Sequence, residues 1–185
     1  MNFVMPIKDD VMLEDICDYL KAKNPRDYVW FSVGIYTGLR ISDILALKVI
    51  DVKDRSFIIS REIKTGKARR TALNEKKLIP ILKAYCSGRR PHEYLFLSNR
   101  GSNKAISRFT AYKVIKEIGK IFKLDNIGTH TMRKTFGFHH YQQYHDVAKL
   151  MKIFNHDDQS TTMRYIGLEQ DDMDETLKNF DYKRR

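Results

Sequence analysis

Cysteine is scarce in this chain. Two occur among 185 residues, Cys17 and Cys86. They are too few and too far apart for a metal-binding motif, and without a secretory leader they are expected to be reduced thiols. Long apolar runs are also missing. The longest mostly apolar stretch, around Val29–Tyr36, falls far short of the roughly 18 residues a transmembrane helix needs. The first ten residues hold Asp9 and Asp10 and no apolar signal-peptide core. There is no internal repeat, low-complexity tract or interdomain linker. The phosphate-cradling spacing G-x-x-x-x-G-K-[ST] is absent too, since Lys64-Thr65-Gly66-Lys67 does not supply it. That argues against ATP use, and no cofactor is expected. At about 150 residues per domain, residues 1–185 read as a single soluble, cytoplasmic domain.

What the chain does have is positive charge. Lys plus Arg number 34 and Asp plus Glu 23, a net +11, while 42% of residues are hydrophobic, enough for a core. Such a surplus speaks to partners rather than fold, and nucleic acid is the commonest polyanion such a surface meets. The cations cluster. Lys64, Lys67, Arg69 and Arg70 share one short stretch, Arg100, Lys104 and Arg108 a second, and Arg133 and Lys134 a third. These, outside the residues given chemical roles below, are the candidate DNA contacts. Acidic residues gather near the end, at Glu169, Asp171, Asp172, Asp174 and Glu175.

Patterning predicts a mainly helical α+β domain with one small antiparallel sheet in its first half. Asp9 or Asp10 can cap a helix carrying Leu13, Ile16, Cys17 and Leu20, ended by Asn24-Pro25. An apolar helix over Asp27–Tyr36 is broken by Thr37-Gly38, and Ser42 can start a short helix. Phe57-Ile58-Ile59 and Ala68–Leu73 read as strands around a turn at Lys64–Lys67. A short helix is expected near Lys76–Tyr85. Ile106, Phe109, Ile115, Ile118 and Phe122 suggest one face of a long helix. Thr129 can cap a helix over His130–Tyr141, Asp146 one over Val147–Phe154, and Ser160 one reaching Tyr165. The segment 168–185 reads as an amphipathic tail helix with Leu168, Met173, Leu177 and Phe180 as its stripe.

Four features stand in order along the chain: Tyr36-Thr37-Gly38-Leu39-Arg40-Ile41-Ser42-Asp43, then Lys64 at the hairpin tip, then His130-Thr131-Met132-Arg133, then His156 with Tyr165 nine residues on. Together, from about Pro6 to Gly167, they resemble the tyrosine recombinase, or phage integrase, family, whose pattern is Arg, Lys, His-x-x-Arg, His or Trp, then Tyr. The family usually has Leu-Gly before the second histidine. Here it is Phe154-Asn155, and asparagine is the side chain that best tolerates a left-handed backbone.

The chemistry of the set is readable on its own. The non-bridging oxygens of a phosphodiester gain charge as phosphorus becomes five-coordinate, and two planar guanidinium forks, Arg40 and Arg133, suit them. Donors placed where charge develops are worth about 10²–10³ in rate each. His130 and Arg133, three apart, share a helix face. Tyr165 is the candidate nucleophile. With a phenol pKa of about 10, only about one in a thousand is ionised at neutral pH, so it needs a base and cationic surroundings. His139, His140 and His145 do not have the spacing of a metal site on one helix face, and none is expected.

The resemblance implies more. Tyr165 would form a 3′-phosphotyrosyl link, with Arg40, Arg133, His130 and His156 holding the phosphate. Lys64, or its neighbour Lys67, would protonate the leaving 5′ oxygen. Asp43 would orient Arg40, although a solvated acid at a helix start is an alternative. The partner would be double-stranded DNA, bound by a monomer that assembles as a tetramer on paired sites. The tail would dock on a neighbouring protomer or pack on its own domain. No counterpart of the family's core-binding domain precedes the catalytic residues, so a natural stand-alone domain or a truncated chain is expected. Two other activities stay open: nicking and closing like a type IB topoisomerase, and DNA binding without catalysis.

Overall fold

Asp9 opens the first helix. Its carboxylate accepts the Met12 N–H at 2.7 Å, and α1 runs Asp10–Lys23. Asn24 ends α1 and caps α2 (Pro25–Thr37), taking the Arg26 N–H at 3.0 Å. Proline suits the first helical position because its missing N–H would have no partner there. Helix α2 is the spine of the core. Val29, Trp30, Phe31 and Val33 are buried, and α1, α4 and α6 pack around it. It ends at Gly38, whose φ of 62° is a left-handed conformation that glycine adopts without strain. A Cβ there would also collide with the Phe136 ring. The turn delivers Arg40 to the entrance of α3 (Ile41–Ala46).

The computed structural model describes residues 4–61, 66, 68–99, 101–168 and 176–181. Within them β1 (Phe57–Arg61) and β2 (Ala68–Ala72) pair antiparallel, Ile58 opposite Thr71 and Ile59 opposite Arg70. The remaining helices are α4 (Leu78–Tyr85), α5 (Arg108–Ile121), α6 (Thr131–Tyr144), α7 (Val147–Phe154) and α8 (Gln159–Ile166). The expected small sheet in a mostly helical chain is therefore present.

Some details differ from the patterning. Ile106 precedes α5, and Phe109 is 64% exposed while Ala111, Ile115 and Ile118 form the buried face. His130, not Thr129, holds the position before α6, which continues past Tyr141 to Tyr144. Asp158, not Ser160, caps α8, accepting the Thr161 N–H at 2.7 Å. Of the expected tail helix, Leu168 packs on its own domain, Leu177 and Phe180 are exposed, and Met173 lies outside the described residues.

The core has two parts. The larger surrounds α2. The smaller lies beneath α6, α7 and α8 and holds Leu150, Phe154 and Ile166. Gly137 lets these helices approach: a Cβ there would lie 2.7 Å from the Phe154 ring and 2.6 Å from Ile166. The N-terminal segment is strapped along α6, with the Ile7 N–H donating to Thr135 Oγ1 at 2.9 Å.

Candidate active site

Arg133 organises the site. It is 3% exposed, in the first turn of α6. Nη1 donates to the Gly38 carbonyl, and Nη2 donates to the Phe154 carbonyl at 3.0 Å. The guanidinium also lies over the Phe154 ring, 4.3 Å from its centroid. One side chain thus ties the turn that presents Arg40 to the turn that presents His156. A guanidinium has five donors, so two carbonyls do not exhaust it.

Asn155 makes the second turn possible. It ends α7 at φ 55° and ψ 51°, the left-handed conformation for which asparagine is suited. The His156 N–H then donates to the Met151 carbonyl at 3.0 Å. His156 Nδ1 is 3.0 Å from Thr162 Oγ1, and its ring meets the Tyr165 ring edge-on, centroids 5.2 Å apart. Burial, then the charges of Arg133 and Arg40, hold the His156 pKa below the ordinary imidazole value, against Asp158 and Asp157.

Tyr165 stands on α8 between three neighbours. Phe154 is 5.4 Å away, ring to ring, His156 flanks it, and the Lys134 ammonium lies 5.0 Å from its ring centroid. The hydroxyl is buried and forms no hydrogen bond of good geometry. Burial raises the phenol pKa. Arg133 and, more weakly, Arg40 favour its ionised form. His130 lies at the exposed edge, yet desolvation, followed by Arg133, Lys134, Arg40 and Arg108, keeps its pKa low. His130, His156 and Tyr165 therefore each sense the charges of Arg133 and Arg40.

The other sequence candidates divide. Asp43 is 5% exposed, which removes the solvated-acid alternative. Lys64, Lys67 and Arg100 lie outside the described residues. Arg69 is half-buried, while Arg70, Lys104 and Arg108 are exposed. The Arg70 guanidinium covers the Phe57 ring at 4.2 Å. Lys134 does not belong with the surface cations: it is 8% exposed, beneath Tyr165, and burial lowers its pKa. Two residues were missed by sequence reasoning. Thr162, fully buried, holds His156, and its place three residues before Tyr165 on a helix is the signal that could have found it. Gly137 was unremarkable as a glycine within a helix. Cys17 lies elsewhere, its thiol pushed up to about 12 by burial and then by Asp18 and Glu14, so it is a poor nucleophile.

Residues 9–171 match the model of the phage integrase family. Among curated proteins, the probable integrase/recombinase YoeC of Bacillus subtilis (strain 168) is 43% identical over 171 residues, covering 92% of this chain and 93% of that protein. The tyrosine recombinase XerA of Pyrococcus horikoshii is 30% identical over 146 residues, covering 78% of this chain and 51% of that one. A tyrosine recombinase of Pseudothermotoga lettingae is 27% identical over 89% of this chain and 56% of its own. The chain thus spans nearly all of the first relative and about half of the other two. A crystal structure of XerA recombinase superposes with a TM-score of 0.74 at 24% identity, over 97% of this chain and 67% of that one. A lambda integrase dimer bound to a COC′ core site gives 0.67 at 14% identity, over 99% and 51%. The fold is that of a tyrosine recombinase catalytic domain, and with the family model covering most of its length, the chain belongs to the phage integrase family of tyrosine recombinases.

Proposed function

We propose that this protein is a site-specific DNA strand-exchange enzyme acting through a 3′-phosphotyrosyl intermediate. The observation that carries the reading is Arg133, whose hydrogen bonds join the Arg40 turn to the His156 turn beside the Tyr165 phenol. A phosphodiester placed there meets two guanidiniums, two imidazoles and a phenol.

Tyr165 Oη forms a bond to phosphorus and gives up its proton to a nearby base. The bond from phosphorus to the 5′ oxygen breaks, and that oxygen leaves as a hydroxyl after taking a proton from Lys64. Arg40 and Arg133 neutralise the charge growing on the non-bridging oxygens, and His130 and His156 border the same phosphate. The 5′ hydroxyl of a second strand then reverses the step. One phosphoester bond is exchanged for another, so no nucleotide is consumed. Burial raises the phenol pKa, and Arg133, then Arg40, favour the ionised form against it.

The partner is double-stranded DNA, bound through the exposed cations Arg70, Lys104 and Arg108 around the site, by a monomer that pairs sites as a tetramer. This reading is tested with a suicide duplex nicked beside the scissile phosphate. A covalent protein–DNA adduct that disappears in Tyr165→Phe supports it. DNA binding with no adduct contradicts it. Relaxation of a supercoiled plasmid with no joining of two sites would replace strand exchange by nicking and closing.

A further inference from the structure

Lys134 follows Arg133 on α6 and is 8% exposed. Taking an ammonium out of water is costly unless favourable groups meet it. One group it meets is the ring of Tyr165, whose centroid lies 5.0 Å from Nζ. Its charge also reaches His130, four residues back at the start of α6, whose pKa it helps to lower. The Tyr165 ring packs edge-on against Phe154 and His156, and its hydroxyl is buried with no hydrogen bond of good geometry. The phenol is therefore held by its ring rather than by its oxygen. Arg133 lies over the Phe154 ring, so consecutive cations of α6 cover two neighbouring rings of one aromatic cluster.

We infer that Lys134 is a positioning residue for Tyr165: its ammonium holds the ring and attracts it more strongly as negative charge builds on the phenol. The face of a neutral aromatic ring already attracts a cation. Ionisation adds a full negative charge that the ring shares with its oxygen, so the attraction grows as the phenol is activated. An interaction that is stronger in the transition state than in the ground state speeds the reaction, and burial limits the water that would screen it. Lys134 transfers no proton in this role, and it contacts Tyr165 rather than DNA. The inference rests on the function proposed above. It also gives a buried charge that lowers folding stability a use in lowering the barrier.

The test compares the full chain with Lys134→Met, Lys134→Gln and Lys134→Arg on the suicide duplex, at saturating DNA and neutral pH. The Met and Gln variants are expected to bind the duplex as the wild type does, with the same salt dependence, and to form adduct about tenfold more slowly. Lys134→Arg, which keeps a cation, is expected to restore most of the rate. Installing 3,5-difluorotyrosine, a more acidic phenol, at position 165 is expected to narrow the gap between Lys134→Met and the wild type, which it would not do for a variant slowed by a misshapen site. Adduct formation as fast in the Met and Gln variants as in the wild type overturns the inference. So does a loss in Lys134→Arg as large as in Lys134→Met, or a gap that difluorotyrosine leaves unchanged. Weakened duplex binding that accounts for the whole loss overturns it too, and makes Lys134 a phosphate contact. A wild type that forms no adduct overturns the function proposed above and the inference with it.

Discussion

Arg133 couples stability to the proposed chemistry, because the guanidinium that holds two backbone turns is also the one proposed to face the reacting phosphate. Arg133→Ala is expected to lower unfolding free energy by about 3 kcal/mol, since two carbonyls lose a charged donor and hydrogen bonds to charged groups are worth about 1.5–3 kcal/mol each. Urea denaturation measures this. Tyr165→Phe moves the other way. It removes a buried hydroxyl with no good partner, so stability should rise by about 1 kcal/mol while adduct formation is abolished. Lys134→Met, which removes a buried ammonium at little cost in volume, is expected to raise the melting temperature by about 2–4 °C. The two site histidines set a pH dependence of stability. Their folded pKa values lie below the unfolded one of about 6.5, so the unfolded chain binds more protons. Their contribution is complete above that value and is lost as pH falls from it toward the lowered folded values. A melting temperature that climbs with acidification through this window would contradict the assignment. Arg40, His130, Arg133, His156 and Tyr165 could be proposed from the sequence because phosphate chemistry restricts the choice to a few residue types in a fixed order. Thr162 and the burial of Lys134 could not, because a hydroxyl and a lysine are common and only long-range packing buries them.

Helix ends were legible at Asn24, which ends α1, and at Asp146, which caps α7; Asp9 takes the cap of α1 from its neighbour Asp10, and α2 starts at Pro25, two residues before the expected Asp27. They were misread where capping residues compete. Asp158 wins over Ser160 because its carboxylate takes the Thr161 N–H and the hydroxyls of Ser160 and Thr161 together, leaving Ser160 inside the helix. Phe109 was misplaced for a geometric reason. Six residues separate it from Ile115, and at 3.6 residues per turn that puts the two on different faces. The packing of α6 against α7 and α8 was invisible in sequence, since it depends on the missing Cβ of Gly137. Gly137→Ala is expected to cost about 1–3 kcal/mol through overpacking. It should also slow adduct formation, because Phe154 and Ile166 hold the His156 turn and the Tyr165 helix. A variant as stable and as fast as wild type would show that this seam does not position the site.

For the molecule as a unit, net charge is the property read most directly from composition. The contacts expected from Arg70, Lys104 and Arg108 are to phosphate, so binding of a duplex by this chain alone should weaken steeply with salt, log K falling linearly with log salt at about 0.9 per phosphate neutralised on B-DNA. A salt-insensitive affinity in a titration series would contradict that. The gathering of the site from distant segments could be anticipated only through the ordered motif, since no local pattern says that residue 40 meets residue 165. The central claim is that Tyr165, among ten tyrosines, is the one delivered to a phosphate held by Arg40 and Arg133. Protease digestion and mass spectrometry of the adduct trapped on the suicide duplex test it most directly. The account predicts a peptide containing Tyr165 that carries a 3′-linked nucleotide. A nucleotide on any other residue, or on a 5′ phosphate, would contradict it.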